Sequence, residues 1–216
     1  MKQASIQFRE IKREDYPALE KIISDTWEYE RYCSPQVAKQ MATFYLASCL
    51  ANQTFTCVAE NNGIAVGVIM GKVEKNFQTP MRYATQGLLA TGNLKRTKEG
   101  RHMAKLFEGF DRLNHRLLDQ SRLKFEGELA FFIVGSDQRG NGIGGELYKR
   151  FLQYTQAVGI EDYYLFTDSG CNVGFYEHQG LERMGEETHN LKPYVDEVMS
   201  FYLYGQHTSA NVKKLA

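Results

Sequence analysis

The sequence predicts a mixed α/β chain of the α+β kind, and three observations carry that prediction. Two strand-like runs, residues 54–60 and 64–73, are joined by Asn61-Asn62-Gly63, which has the turn chemistry of a hairpin. An apolar run at 129–134 leads into Gln138-Arg139-Gly140-Asn141-Gly142-Ile143-Gly144-Gly145, and an amphipathic helical run follows. A second apolar strand, Tyr163-Tyr164-Leu165-Phe166, passes through the polar turn Thr167-Asp168-Ser169-Gly170 into a short helical segment.

Taken in order, residues 6–11 alternate as a half-buried strand. Residues 13–23 follow as a helix, with Asp15 at its N-cap and Pro17 in its first turn. After the hairpin, Met103, Leu106, Phe107, Phe110, Leu113 and Leu117 recur at helical spacing, which predicts an amphipathic helix over 102–120 with one face buried. Its simplest role is packing against the domain's own sheet or first helices, ahead of a lid that shapes a substrate site. Lys95-Arg96-Thr97-Lys98 just before it reads as a solvated turn.

The glycine-rich segment is the most telling stretch. Glycines let the backbone turn sharply and leave N–H groups pointing outward, and the helix that opens there adds the positive end of its dipole. This is a cradle for a pyrophosphate. Residues 140–145 also satisfy the G-x-G-x-x-G dinucleotide pattern, with Asp168 as the ribose-binding acid after a later strand. Two things weigh against that reading. Five residues separate the strand from the first glycine, and only ~70 residues remain for βα units of ~30 each. No Gly-Lys-Ser/Thr follows the glycines, which excludes a Walker loop.

Composition agrees. The length of 216 residues suits one domain over 1–216, and 43% hydrophobic content suffices for a core. The 26 basic and 26 acidic residues balance, so no nucleic-acid or membrane-surface footprint is expected. Apolar runs fall short of the ~18 residues of a membrane span, and residues 1–8 lack a signal-peptide core, so a cytoplasmic protein is expected. Four cysteines and five histidines show no metal-ligand or disulfide spacing, so no metal site is expected. Cys171 has no histidine beside it at a motif spacing and is not expected to act as a nucleophile.

Two motifs together resemble the GNAT acyl-CoA N-acetyltransferase superfamily. That family carries Arg or Gln, two residues, Gly, one residue, then Gly or Ala after its fourth strand, matched by Arg139-Gly140-Asn141-Gly142-Ile143-Gly144. Roughly 35 residues on it carries an aromatic-Tyr-Glu-x-x-Gly segment, matched by Phe175-Tyr176-Glu177-His178-Gln179-Gly180-Leu181. The resemblance covers about residues 5–74 and 126–204. It implies a mixed, mostly antiparallel twisted sheet of about seven strands flanked by helices. Residues 75–125 then form a helical insertion between the third and fourth strands, and a C-terminal tail from about 205 to 216 is expected to lack order.

The resemblance also implies the chemistry: an acetyl group passes from acetyl-CoA to a primary amine by direct attack in a ternary complex. The alternative is a catalytically silent acyl-CoA-binding or regulatory module. A bulge or splay in the fourth strand would free a backbone N–H within Phe132, Ile133 and Val134 for the thioester carbonyl. The N–H groups of Arg139, Gly140, Asn141, Gly142, Ile143 and Gly144 would take the pyrophosphate. Tyr176 would be the general acid toward the thiolate. Glu128, eleven residues before Arg139, stands where the family places its base, with Glu126 or water in reserve. The family's CoA-contacting asparagine usually lies about seven residues before the tyrosine, where this chain has Ser169; Asn172, four before it, is the asparagine available. The acceptor, a small-molecule or peptide amine, would lie between residues 27–35, Trp-Glu-Tyr-Glu-Arg-Tyr-Cys-Ser-Pro, and residues 188–197. A homodimer is left open.

Overall fold

The computed structural model describes residues 6–206. In chain order it contains β1 (Gln7–Arg9), a 3-10 turn (Arg13–Asp15), α1 (Tyr16–Thr26), a second such turn (Tyr29–Arg31) and α2 (Pro35–Ala51). The hairpin β2 (Phe55–Asn61) and β3 (Ile64–Val73) follows, then α3 (Met81–Leu94) and α4 (Lys98–Ser121). The remainder is β4 (Gly127–Val134), α5 (Ile143–Ala157), β5 (Tyr163–Asp168), α6 (Val173–His178), β6 (Glu182–Asn190) and β7 (Val198–Gln206).

The seven strands form one sheet in the order β1-β2-β3-β4-β5-β7-β6. Only β4 and β5 run parallel, because α5 is the crossover that a parallel neighbour requires. The expected mixed, mostly antiparallel sheet is therefore present. The β2–β3 register pairs Asn61 with Ile64. Asn62 and Gly63, at φ 52° and 83°, make the two-residue turn.

Helices cover both faces. α1, α2 and α4 pack on one, with Leu19, Ile23, Leu46 and Leu50 fully buried. α5 packs on the other, where Leu147 and Phe151 meet Tyr163 and Leu165. Strand β4 serves both cores. Leu129 faces α5, but so do Phe132 and Val134, whereas Phe131 and Ile133 face the opposite core. Strict alternation forbids that assignment. The register supplies the reason, since Met70 pairs with Phe131 while Gly71 pairs with Leu129, leaving Ala130 as a bulge that shifts the side chains by one position.

Three expectations need correcting. Asp15 stands at the N-cap of α1 as expected but makes no side-chain cap bond; its Oδ2 accepts from the Lys12 N–H at 2.7 Å, and the carboxylate pairs with Arg9. The insertion holds two helices, not one. α3 was not legible because it buries only Tyr83, Ala90 and Leu94 and leaves Met81, Leu88 and Leu89 exposed. In α4, Thr97 is the N-cap, accepting from the Gly100 N–H, so residues 95–97 do form the turn. Met103, Leu106, Leu113 and Leu117 are buried, whereas Phe107 and Phe110 are only half-buried. Lastly, Gly205 and Gln206 belong to β7, paired with Tyr164 and Tyr163. The rest of the expected tail, 207–216, lies outside the described residues. No helix among the described residues is long and apolar enough to cross a membrane.

Candidate active site

The paired register between β4 and β5 stops at Glu128 opposite Tyr164. Beyond it β4 continues to Val134, while β5 continues to Asp168 paired with β7 on its other side. The two strands therefore part, and the β4 edge from about the Ala130 bulge onward faces an opening. A bulge adds local twist and ends regular pairing, which is the physical reason for the parting at this point. The bulge lies two residues before the expected segment, Phe132, Ile133 and Val134, but that segment borders the opening.

After β4 the chain makes a 3-10 turn (Ser136–Gln138) and then the glycine loop. Gly140 and Gly142 sit at φ 81° and 76°, and a Cβ added to either would meet nothing within 4 Å. Backbone angle, not lack of room, calls for glycine here. Arg139 Nε donates to the Val134 carbonyl at 3.1 Å and Asn141 Nδ2 to the Gln138 carbonyl at 3.4 Å, so these side chains brace the loop. Ile143 is turned into the α5 core, 3% exposed, and offers the loop only its backbone. Gly142 is the N-cap of α5, a 15-residue helix whose first N–H groups open toward the loop.

A cavity of about 540 Å³ lies beside this loop, bordered by the C-terminal end of α1, the end of β4 and the start of α6. Arg139, Gly140, Gly142, Gly144, Asn172 and Tyr176 line it, whereas Asn141 and Ile143 do not. A second cavity of about 550 Å³ lies among α2, α4, β4, β5 and β7. Trp27, Phe132, Cys171 and Tyr176 border both, so the two adjoin where β4 and β5 part. An open glycine cradle, an unpaired strand edge and a cavity between them fit a CoA-type ligand, with room for its pyrophosphate and its extended arm.

Tyr176 stands at this junction, 9% exposed, on the six-residue α6. Phe175 anchors α6, its ring 5.3 Å from that of Phe132 and 5.6 Å from that of Tyr148. Glu177 is a clamp at the surface, accepting from Tyr204 at 2.7 Å and Arg183 at 3.2 Å. No described residue bonds the Tyr176 hydroxyl. Burial, and after it the neighbouring Cys171 and Asp168, holds the Tyr176 phenol well above its ordinary value, so it keeps its proton.

Glu128 lines the second cavity and is buried. Its Oε2 lies 2.9 Å from Lys72 Nζ and accepts from Asn52 Nδ2 at 3.1 Å and Tyr164 Oη at 3.3 Å. Burial works against the Lys72 charge, but Glu128 and Glu74 more than offset it, and its pKa is raised. Glu126 is exposed and braces the Glu161 N–H at 2.9 Å.

Asp168 is the acid that sequence reasoning missed at this site, having weighed it only as a ribose ligand. It ends β5 at the border of the second cavity, its Oδ1 accepting from the Gly170 N–H at 2.8 Å. The one sequence signal for it is the Asp-Ser-Gly turn after a strand. Burial raises its pKa above the ordinary carboxylate value, against donors at Gly170, Cys171 and Trp27. The fold therefore favours the protonated form. That contribution to stability is complete below the ordinary value of 3.8 and is lost as the pH rises through the folded value. Asp168→Asn, which cannot ionise and still offers an oxygen to Gly170, is expected to melt higher than the parent at neutral pH, with the gap closing in acid. Thermal melts across that range check it, and a variant that melts lower at neutral pH would show a carboxylate that stabilises the fold. The Cys171 thiol is pushed up to about 11 by burial and by Asp168, so it stays protonated near neutrality.

The two segments expected to line an acceptor cleft meet and tie together. Tyr32 Oη donates to Glu197 Oε1 at 2.7 Å, and Arg31 reaches the same oxygen at 3.4 Å. The Tyr194 ring lies 4.7 Å from that of His102 on α4. Trp27 and Tyr29 instead turn inward to the second cavity. No group of three or more His, Cys, Asp or Glu among the described residues is placed to hold a metal ion.

A family model described as Acetyltransferase (GNAT) family matches residues 8–181. Among solved structures, the chain is similar to an N-acetyltransferase from Staphylococcus aureus Mu50, at 18% identity and TM-score 0.53, covering 94% of this chain and 98% of that one. A ribosomal-protein-alanine N-acetyltransferase from Brucella melitensis is similar at 16% identity and TM-score 0.55, covering 94% and 99%. An acetyltransferase from Streptococcus pneumoniae is similar at 17% identity and TM-score 0.51, covering 94% and 98%. Likenesses this distant speak to the fold alone. No curated protein aligns significantly with the chain.

Proposed function

The chain belongs to the GNAT acetyltransferase family, and from that membership we propose that it moves an acetyl group from acetyl-CoA to the primary amine of a small molecule or peptide, by direct attack while both are bound. The observation that carries this reading is the pair of adjoining cavities meeting at Tyr176, one beside the glycine cradle and one walled by α2 and α4.

Acetyl-CoA would supply a thioester whose carbonyl accepts the amine. The backbone N–H groups of residues 139–144, at the start of α5, would hold its pyrophosphate, and Asn172 stands across the same cavity. The β4 edge over Phe132, Ile133 and Val134 would pair with its extended arm and offer an N–H to the carbonyl. Tyr176 would stabilise and protonate the departing thiolate. Glu128 is the proposed acceptor of the amine proton, directly or through water. A specific observation favours a second reading. The ionisable neighbours that act on Tyr176 are Cys171 and Asp168, so Asp168 is the carboxylate beside the junction. The same reading places the work in the cytoplasm, a reducing compartment that suits four free cysteines.

Release of free thiol from acetyl-CoA with a panel of amines tests the reading. Turnover with at least one amine is expected, and calorimetry should show acetyl-CoA binding. Binding without thiol release for any amine would mean a silent acyl-CoA-binding module. Between the two carboxylates, the one whose amide variant loses the acid limb of the pH–rate profile is the base.

A further inference from the structure

The cavity on the acceptor side has an unusual lining for a site that is to receive a charged amine. Its walls are rings. Trp27, Tyr45, Phe107 and Phe131 form a connected cluster, with centroids 5.1 Å apart for Trp27–Tyr45, 5.5 Å for Tyr45–Phe131 and 6.1 Å for Tyr45–Phe107. Phe110 continues it to Phe201 at 4.9 Å. These rings come from α2, α4, β4, β7 and the segment after α1, and α4 belongs to the insertion. The cavity holds about 550 Å³, within the ~300–1,000 Å³ range of small-molecule sites.

Polar groups interrupt this apolar lining at separate points. Asp168 lies at the end that meets Tyr176, Glu128, already paired with Lys72, lies elsewhere on the wall, and α4 adds Asp111 and Glu108, the latter paired with Lys95. On α4, Asn114 Oδ1 is buried with no hydrogen-bond partner. A buried acceptor left unpaired costs free energy, which a ligand carrying a donor would recover. The outer cleft, where an extended chain would have to lie, is closed by the Tyr32–Glu197 hydrogen bond and the His102–Tyr194 contact.

We propose that the acceptor is a small aralkyl monoamine, a flat aromatic ring on a short chain ending in a primary amine, held with its ring against the wall made by Trp27, Tyr45 and Phe107 and its ammonium toward Asp168. This rests on the acetyltransferase reading above and narrows its acceptor. Aromatic walls favour a ring in offset or edge-on contact. Asp168, which has no ion-pair partner among the described residues, offers one carboxyl at the junction for one cation, and it sets the nitrogen beside the place where Tyr176 would meet the thiolate. A ring hydroxyl would meet Asn114. An alkyl polyamine has no ring to set against this wall, and a peptide would need the closed cleft.

Trp27 is the sole tryptophan and borders this cavity where it meets the first, so without acetyl-CoA present its emission reports on an added amine. Tyramine, titrated under tryptophan-selective excitation, is expected to change that emission saturably and to release thiol from acetyl-CoA, with a higher kcat/KM than spermidine or an alanyl peptide. Asp168→Asn should weaken tyramine binding by at least about tenfold, the weight of one charge-assisted hydrogen bond, and leave acetyl-CoA affinity unchanged. Asn114→Leu should weaken tyramine more than 2-phenylethylamine. The proposal is overturned if tyramine leaves the emission unchanged, if spermidine or the peptide is the better substrate, or if Asp168→Asn binds tyramine as the parent does. Acetyl-CoA calorimetry separates the two levels: binding with those negative results sinks only the acceptor class, and no binding sinks the acetyltransferase reading with it.

Discussion

Gly142→Asp is expected to lower acetyl-CoA affinity by on the order of 100- to 1,000-fold while the protein remains folded. At φ 76° the position costs a non-glycine residue about 1–2 kcal/mol, and Asp is among the residues that tolerate it best. An added Cβ meets nothing within 4 Å, so no packing is lost. A carboxylate at the first turn of α5 even suits the helix dipole. It would stand, however, where the pyrophosphate is proposed to bind. Like charges ~4 Å apart repel by about 4 kcal/mol at an effective dielectric near 20. Gly159, at φ 73° with equally open surroundings beyond the other end of α5, provides the control. Gly159→Asp carries the same backbone strain and should bind acetyl-CoA as the parent does. Calorimetry on both variants checks this. Equal affinity in parent and Gly142→Asp would remove the pyrophosphate from this loop.

Tyr176→Phe is expected to reduce kcat by on the order of 100- to 10,000-fold, the span of a general acid's contribution. Acetyl-CoA affinity and melting temperature should stay near those of the parent. The variant keeps the ring, and with it the contacts to Phe175 and Tyr204 at 5.7 and 6.1 Å. It loses only a hydroxyl that no described residue bonds. Because burial holds the phenol well above its ordinary value, it parts with its proton only as charge builds on sulfur. Its help therefore belongs to the transition state, and its loss falls on kcat. For the same reason, no alkaline fall in rate near neutrality should trace to this group. Steady-state kinetics with any amine that turns over tests the claim. An unchanged kcat would assign protonation of the thiolate to another residue or to water.

Parts of this molecule follow from short stretches of chain. The hairpin turn is dictated by Asn62-Gly63, whose positive φ values few other pairs accept at low cost. The cradle is dictated by Gly140 and Gly142 between an apolar strand and an amphipathic helix, and Tyr176 is marked by its segment. These are local patterns, set by backbone angles and by one-sided burial, and both leave their trace in sequence. α2 leaves almost none. Val37, Ala38, Met41, Ala42, Leu46, Ala47, Cys49 and Leu50 are all buried, so its apolar residues run nearly all round and show no stripe. α3 fails in the opposite way, burying too little to show one.

The sequence by itself thus determined the fold class, the cradle and the position of Tyr176; only the tertiary structure decided what lies opposite them. The periodicity of α4 does not say that Met103, Leu106, Leu113 and Leu117 enter the core while Phe107 and Phe110 turn to a cavity, because both sets sit on one apolar face. Nothing in β4 announces that Ala130 bulges and sends Leu129 and Phe131 to opposite cores, since the extra residue is defined only against its partner strand. Glu128, marked in the sequence only by its distance from Arg139, acquires its environment from Lys72, Asn52 and Tyr164 on other elements. Asp168 and Asn114 are brought to one cavity from β5 and α4. Strand pairing and helix packing alone bring such groups together, and a chain read residue by residue carries no record of that distance.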